Sequence, residues 1–192
     1  MKSQILLAMG LFLSGFSAAQ TANPAGAAPD TPNIESGHPP DAHANTADQL
    51  FIKQLGIGGT AESQFGKLAT HKSQSAQVRQ FGQQMADEHE KANDKLIALA
   101  RATNVPLRKD FDLDHRVVRD ELNKLAGSPF DVAYIRSQVQ EHQKTAQLLE
   151  WEIASGQDAR VRAFAIQTLP VVMEHLQHAQ ALQAELTGSA VR

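Results

Sequence analysis

One glutamate and three histidines interrupt the apolar stripes of four predicted helices. They are Glu62, His89, His142 and His175. A polar side chain on a core-facing stripe needs a partner or a metal, because burying it unpaired is costly. Carboxylate oxygens and imidazole nitrogens are ligands of first-row transition metals. The sequence therefore predicts a polar cluster inside a helical core, and these residues are candidate ligands for one ion of zinc, iron, copper or manganese.

Four long helices must position these side chains, and they are predicted from apolar residues recurring every three or four positions. They span residues 47–72, 75–102, 128–155 and 158–186. Each candidate ligand lies within about three residues of its helix midpoint, and an α-helix rises about 1.5 Å per residue. Helices packed side by side with aligned centres would hold all four side chains in one layer, to within roughly 5 Å.

The same spacing predicts the core positions of each long helix. They are Phe51, Leu55, Gly58, Phe65 and Ala69; Val78, Phe81, Met85, Ala92, Leu96 and Leu99; Ile135, Val139, Ala146, Leu149 and Ile153; and Val161, Phe164, Thr168, Val172, Ala179, Leu182 and Leu186. Gly56, Gly58 and Gly59 weaken an isolated helix, and they fit a close approach of another helix or a local kink. Helix starts are predicted at Asn45 or Thr46, at Ser73 or Ser75, at Ser128-Pro129 and at Asp158.

The lengths of the connections predict the topology. Few residues separate the first two helices, which should be antiparallel neighbours. The next connection, residues 103–127, is long enough to return the chain to the starting end and contains a short helix over 114–125. Its predicted apolar side consists of Val117, Val118, Leu122 and Leu125. We therefore predict an all-α four-helix bundle with a long crossover, in which the second and third long helices are parallel.

The amino-terminal residues predict export. Residues 1–19 resemble a secretory signal peptide, with Lys2, an apolar run and small residues for cleavage, although an uncleaved anchor is the alternative. Residues 20–46 are predicted to be a disordered linker, 47–188 the bundle and 189–192 a tail. After cleavage we expect no membrane-spanning segment and a periplasmic location.

Composition excludes several classes of function. The net charge of −3 does not indicate nucleic-acid binding. The absence of cysteine excludes disulfides, thiolate ligands and a cysteine nucleophile. No phosphate-binding loop or nucleophile elbow indicates hydrolysis. Outer faces rich in Gln and Ala permit self-association, and a protein partner is not indicated by any motif.

Each core histidine follows a glutamate, at Glu88, Glu141 and Glu174. Adjacent helical positions point about 100° apart, so these carboxylates flank the stripe. They fit either partners that orient an imidazole or exposed charges. Met85, one turn before His89, fits either a soft ligand that would favour copper or a core residue that fills a gap.

Three short motifs resemble those of exported bacterial ferritin-like proteins catalogued as a domain of unknown function and often labelled membrane or outer-membrane proteins. The resemblance covers residues 47–186. The motifs are Met85-Ala86-Asp87-Glu88-His89; Phe130-Asp131-x-x-Tyr134 followed by Glu141-His142; and Leu169-Pro170 followed by Glu174-His175-Leu176. The resemblance implies a ferritin-like four-helix fold and no established activity.

The chain departs from the di-iron members of the ferritin-like class. Those proteins carry Glu-x-x-His on two helices, and a further Glu on each of the other two. Here the residues three positions before the core histidines are Ala86, Val139 and Val172. The sequence therefore argues against a di-iron oxygen- or peroxide-reactive enzyme. Two hypotheses remain: a bundle that binds one metal, and an interaction or stress-protection protein with a metal-free polar network. Whether the chain is an enzyme is left open.

Overall fold

Five helices account for most of the computed structural model, which describes residues 44–108 and 110–188. They are α1 (Thr46–Lys72), α2 (Ala76–Ala102), α3 (Leu113–Lys124), α4 (Gly127–Ser155) and α5 (Ala159–Gly188). No strand occurs in these two ranges. The all-α prediction is confirmed. The predicted signal peptide, the linker as far as residue 43 and the tail lie outside the described residues.

Side chains cap three of the four long helices as predicted. The Asn45 side chain accepts hydrogen bonds from the first turn of α1, Ser75 accepts one from Val78 N, and Asp158 accepts from Arg160 N at the start of α5. These contacts satisfy amide groups that have no partner within the helix.

The predicted start of α4 at Ser128 is wrong. The helix begins at Gly127, and Ala126 in the N-cap position makes no side-chain hydrogen bond to it. Gly127 has a φ of +59°, a left-handed conformation that glycine adopts at little cost. The turn into the helix therefore depends on this glycine rather than on the serine that follows it.

Contacts between helix ends define the topology. The Lys72 ammonium at the end of α1 lies over the Phe130 ring at the start of α4, so α1 and α4 are antiparallel. Arg160 at the start of α5 donates to Ala102 O at the end of α2, so these two helices are also antiparallel. With α1 and α2 antiparallel across a three-residue connection, α2 and α4 run parallel. The predicted bundle with one long crossover is confirmed.

The apolar core has two parts, with the three histidines between them along the helices. One part includes Phe65, Phe81, Met85, Phe130 and Tyr134, and the other includes Phe51, Ile52, Leu96, Leu149 and Val161. The predicted core positions of the four long helices are buried or partly buried, as the helical spacing indicated. No helix in the described ranges combines the length and apolarity that crossing a bilayer requires.

One predicted core position of the crossover is wrong. Val117 is 59% exposed, whereas Leu122 is 1% exposed. Residues 117 and 118 point about 100° apart on a helix, and only Val118 turns toward the bundle. Trp151 on α4, 45% exposed, also lies outside the core.

Lys72 joins the end of α1 to the crossover helix. Its ammonium donates hydrogen bonds to Leu122 O and Asn123 O at 2.9 and 2.7 Å. Carbonyls in the last turn of a helix lack partners within the helix, and a cation there is favourable. We expect Lys72→Met to lower the free energy of unfolding by about 1 kcal/mol. Chemical denaturation would measure it, with the exposed Lys95→Met as the control; equal stabilities would contradict the role of Lys72.

Asp48 joins three helix ends at the opposite end of the bundle. Its carboxylate accepts hydrogen bonds from Gln157 N and Asp158 N, at 3.1 and 2.9 Å. The fully buried Glu152 lies close by. Burial, together with the charges of Asp48 and Asp158, raises the pKa of Glu152 to about 7. The hydrogen bonds that Asp48 accepts therefore hold the turn between α4 and α5 against the start of α1.

Candidate metal centre

Three of the four candidate ligands meet in the middle of the bundle. His89 on α2, His142 on α4 and His175 on α5 each place one ligand nitrogen within 4.8 Å of the other two. The ring centroids are 5.6 Å apart for His89 with either partner and 5.3 Å apart for His142 and His175. No other cluster of three or more potential ligands occurs among the described residues.

Hydrogen bonds orient two of the three imidazoles. His142 Nδ1–H donates to the backbone oxygen of Gln138 at 2.9 Å, one helical turn earlier. His175 Nε2–H donates to Glu88 Oε2 at 2.7 Å across the interface between α2 and α5. A neutral imidazole that donates through one nitrogen carries a lone pair on the other. His142 Nε2 and His175 Nδ1 are therefore the atoms available to a ligand.

Those two nitrogens and His89 Nε2 are buried and have no hydrogen-bond partner within the described chain. Burial lowers the pKa of His89 well below its usual range, and the nearby His142 and His175 lower it further. Burial also lowers the pKa of His142 to about 4, despite its hydrogen bond to Gln138 O. Both rings are neutral at pH 7, the state in which imidazole binds a metal.

The fourth candidate, Glu62, lies apart from this group. Its carboxyl is not among the ligand atoms that gather within 4.8 Å, although Glu62 is only 3% exposed. Burial raises the pKa of Glu62 to about 8, and the charge of Glu141 contributes to the shift. Its Oε2 has no hydrogen-bond partner in the described part of the chain. Glu62 is therefore a buried neutral carboxyl beside the histidines.

The three glutamates that precede the histidines have different surroundings. Glu88 orients an imidazole, but the ring belongs to His175 on another helix and not to His89 beside it. Glu141 lies 3.4 Å from His115 Nε2, and Glu174 is exposed. The sequence allowed two roles for these glutamates, as partners that orient an imidazole or as exposed charges. Glu88 has the first role and Glu174 the second.

His115 on the crossover helix forms a second polar group that the sequence reasoning missed. Its Nδ1 lies 2.6 Å from Asp112 Oδ1, and Glu141 approaches from α4. Burial by itself lowers the pKa of His115, but hydrogen bonds and charges from the two carboxylates outweigh it and raise the pKa to about 9. A signal existed in Asp112-x-x-His115, because a side chain at the N-cap reaches the residue three positions later.

A small cavity of about 50 Å³ adjoins two of the three histidines, His89 and His175. The polar residues of its wall are Glu62, Glu88, His89, Asn93, Thr145, Thr168 and His175. The remaining wall is mainly apolar, from Leu55, Ala92, Leu96, Phe164 and Val172. Roughly 10–15 Å³ of such volume holds one water molecule. The cavity therefore accommodates a ligand of only a few atoms beside His89 and His175.

Comparisons with known proteins agree with this architecture. The model of a family described as "Domain of unknown function (DUF4142)" matches residues 34–182. No curated protein sequence matches the chain. The chain is similar to the crystal structure of a DUF305 fragment from Deinococcus radiodurans, with a TM-score of 0.67 and 11% sequence identity. That alignment covers 74% of this chain and 99% of the fragment, and at this identity it shows a shared fold alone.

Proposed function

The chain belongs to the DUF4142 family, as its motifs indicated, and we propose that it is an exported protein that binds one transition-metal ion through His89, His142 and His175. Export and a periplasmic location rest on the composition of residues 1–19. The metal site rests on the convergence of three unpartnered imidazole nitrogens inside the bundle.

The arrangement satisfies the main requirements of a histidine site. A tetrahedral ion with metal–nitrogen distances of about 2.0–2.1 Å separates its ligand nitrogens by roughly 3.3 Å. The three ligand nitrogens lie within 4.8 Å of one another, so movements of about 1 Å would bring them to this spacing. Glu88 and the backbone oxygen of Gln138 hold the rings of His175 and His142 from behind, as is usual for metal-bound histidines.

A metal-free hydrogen-bonded network explains the same residues less well. Such a network would satisfy its buried nitrogens through one another, because an unpaired buried polar atom costs about 1–3 kcal/mol. Here His89 Nε2, His142 Nε2 and His175 Nδ1 have no hydrogen-bond partner among the described residues. One cation would satisfy all three lone pairs at once. This difference favours metal binding over an interaction or stress-protection role without metal.

The donor set restricts the identity of the ion. Three imidazole ligands suit zinc, copper and iron, whereas manganese prefers more oxygen ligands. Met85 is fully buried in the apolar cluster with Phe81 and Tyr134 and is not needed in the ligand set. Zinc, copper and iron are therefore the first ions to test.

Metal content and thermal stability test the proposal. The chain starting at Gln20, purified without a histidine tag, should bind close to one ion per chain. At a free metal concentration of 100 times Kd, binding to the folded state adds about 2.7 kcal/mol of stability. We expect a rise in Tm with Zn²⁺, Cu²⁺ or Fe²⁺, measured by calorimetry against the chelator-treated protein.

His142→Ala should lower the metal affinity by more than about 100-fold, since even residues behind a ligand contribute 10–100-fold. Each variant is compared with and without metal, so that any loss of packing cancels. His71→Ala, at an exposed position of α1, is the matched control and should keep the full gain in Tm. A wild-type protein without any gain in Tm, or a His142→Ala variant with the same gain, would contradict the proposal.

A further inference from the structure

The wall of the cavity combines polar and apolar residues. His89 and His175, two of the proposed ligands, are among the polar ones. Most of the remaining wall is formed by aliphatic and aromatic groups, including Leu96, Phe164 and Val172. An ion held by three imidazoles has a further coordination position, which catalytic sites of this type leave to water or substrate. Among the described residues, Glu62 and Glu88 are the only ones that contribute a carboxylate to the wall of the cavity.

Glu88 is occupied by its hydrogen bond to His175 Nε2. Glu62 differs, because its Oε2 is buried and without a hydrogen-bond partner in the described residues. Glu62 lines the same cavity from α1, the one long helix that carries no proposed ligand. An unpaired buried oxygen in a residue that lines a small cavity is satisfied when a small polar molecule enters and hydrogen-bonds to it.

On the basis of the proposed function, we propose that the bound ion keeps one coordination position open to this cavity. At that position it binds an exogenous molecule of two or three non-hydrogen atoms, and this molecule hydrogen-bonds to Glu62. Molecules of this class include dioxygen, hydrogen peroxide and nitric oxide. The volume of about 50 Å³ and the apolar wall exclude larger, strongly hydrated anions such as phosphate and sulfate.

Azide is a suitable probe because it has three atoms in line, binds metal ions and hydrogen-bonds through its terminal nitrogen. The protein would be loaded with one equivalent of Cu²⁺, or of Co²⁺ as a visible replacement for Zn²⁺, and titrated with azide by absorption spectroscopy. We expect a saturable ligand-to-metal charge-transfer band with one azide per metal. Phosphate at the same concentration should leave the spectrum unchanged.

Three variants locate the azide. Ala92→Val places two further methyl groups on the cavity wall and should weaken azide binding by at least about tenfold, with one metal still bound. Glu62→Leu removes the hydrogen bond and should weaken it by about 5- to 10-fold, which corresponds to 1–1.4 kcal/mol. Glu62→Gln keeps a donor and should stay within about threefold of the wild type. Ala98→Val, at an exposed position of the same helix as Ala92, is the matched control.

The outcomes separate this inference from the proposed function. A wild-type protein that binds no metal contradicts the proposed function itself. A protein that binds one metal but gives no azide band overturns only the open position. Equal azide affinities in the wild type, Ala92→Val and Glu62→Leu would place the azide outside the cavity. Loss of metal in both Glu62 variants would make Glu62 the fourth ligand, which also overturns the inference.

Discussion

Gly66→Ala is expected to destabilise the bundle by about 2–3 kcal/mol, the cost of inserting a methyl group into tightly packed surroundings. A Cβ atom at residue 66 would lie 2.5 Å from Gly82 O and 2.7 Å from Ala86 N. Both atoms belong to the backbone of α2, so no side-chain rotation relieves the contact. The gain of about 1 kcal/mol that alanine normally brings to a helix would be outweighed.

Thermal denaturation measures this effect, since 1 kcal/mol corresponds to about 2–4 °C in Tm for a domain of this size. We expect Tm to fall by roughly 5–10 °C in Gly66→Ala. Gly82→Ala should behave similarly, because its Cβ would lie 2.8 Å from Gly66 O. Gly188→Ala is the control, since no non-neighbouring atom of the described residues lies within 4 Å of the added carbon. A Gly66→Ala variant as stable as the wild type would show that α1 and α2 separate at little cost.

Glu62→Gln is expected to stabilise the metal-free protein at alkaline pH and to change it little at pH 5.5. The pKa of Glu62 is raised to about 8 in the folded state, whereas an unfolded chain has an ordinary value near 4.5. The folded protein therefore retains a proton that the unfolded chain releases, and stability falls as pH rises from about 4.5 to 8. Glutamine stays neutral and removes this loss, which amounts to roughly 3 kcal/mol between pH 5.5 and 8.5.

The measurement is the difference in Tm between wild type and Glu62→Gln across that pH range, after chelator treatment. The difference should grow by roughly 6–12 °C toward pH 8.5. Glu150→Gln, at an exposed position of α4, should show no such growth. A difference independent of pH would mean that Glu62 is ionised throughout and paired with a positive charge.

The Tm of the wild type alone would not reveal these groups, because their contributions oppose one another. His89 and His142 have lowered pKa values, so they reduce stability as pH falls below about 6.5. Glu62 and Glu152 have raised values and reduce it as pH rises. His115 also has a raised pKa, and its contribution is complete below about 6.5 and lost toward 9. Differences between single variants are therefore needed to assign each effect.

The depth of the three histidines could be predicted because it depends on local geometry. A helix advances by a constant rise, so the distance of a residue from its helix midpoint follows from the sequence. His89, His142 and His175 lie near the middle of their helices, and the bundle aligns those middles. Glu62 has a similar depth, yet it stands outside the histidine group. Its exact position depends on how α1 packs against the other helices, which the spacing of residues along α1 does not determine.

The partners of the site residues also required the tertiary structure. The pattern Glu-His repeats three times, but only Glu88 orients one of the histidines, and it reaches a ring 87 positions away along the chain. Glu141 turns instead toward the crossover helix and His115. The partner of each glutamate depends on which helix packs beside it, and this is a property of the assembled bundle.

By itself the sequence determined the helices, their apolar faces, the long crossover and the common depth of the histidines, because all of these depend on spacings of three and four residues or on loop length. The tertiary structure alone decided that three imidazole nitrogens converge unpartnered, that Glu62 faces a cavity beside them, and that α1 and α2 meet at Gly66 and Gly82. These features require helix rotations and side-chain conformations, which arise only when all the helices pack together.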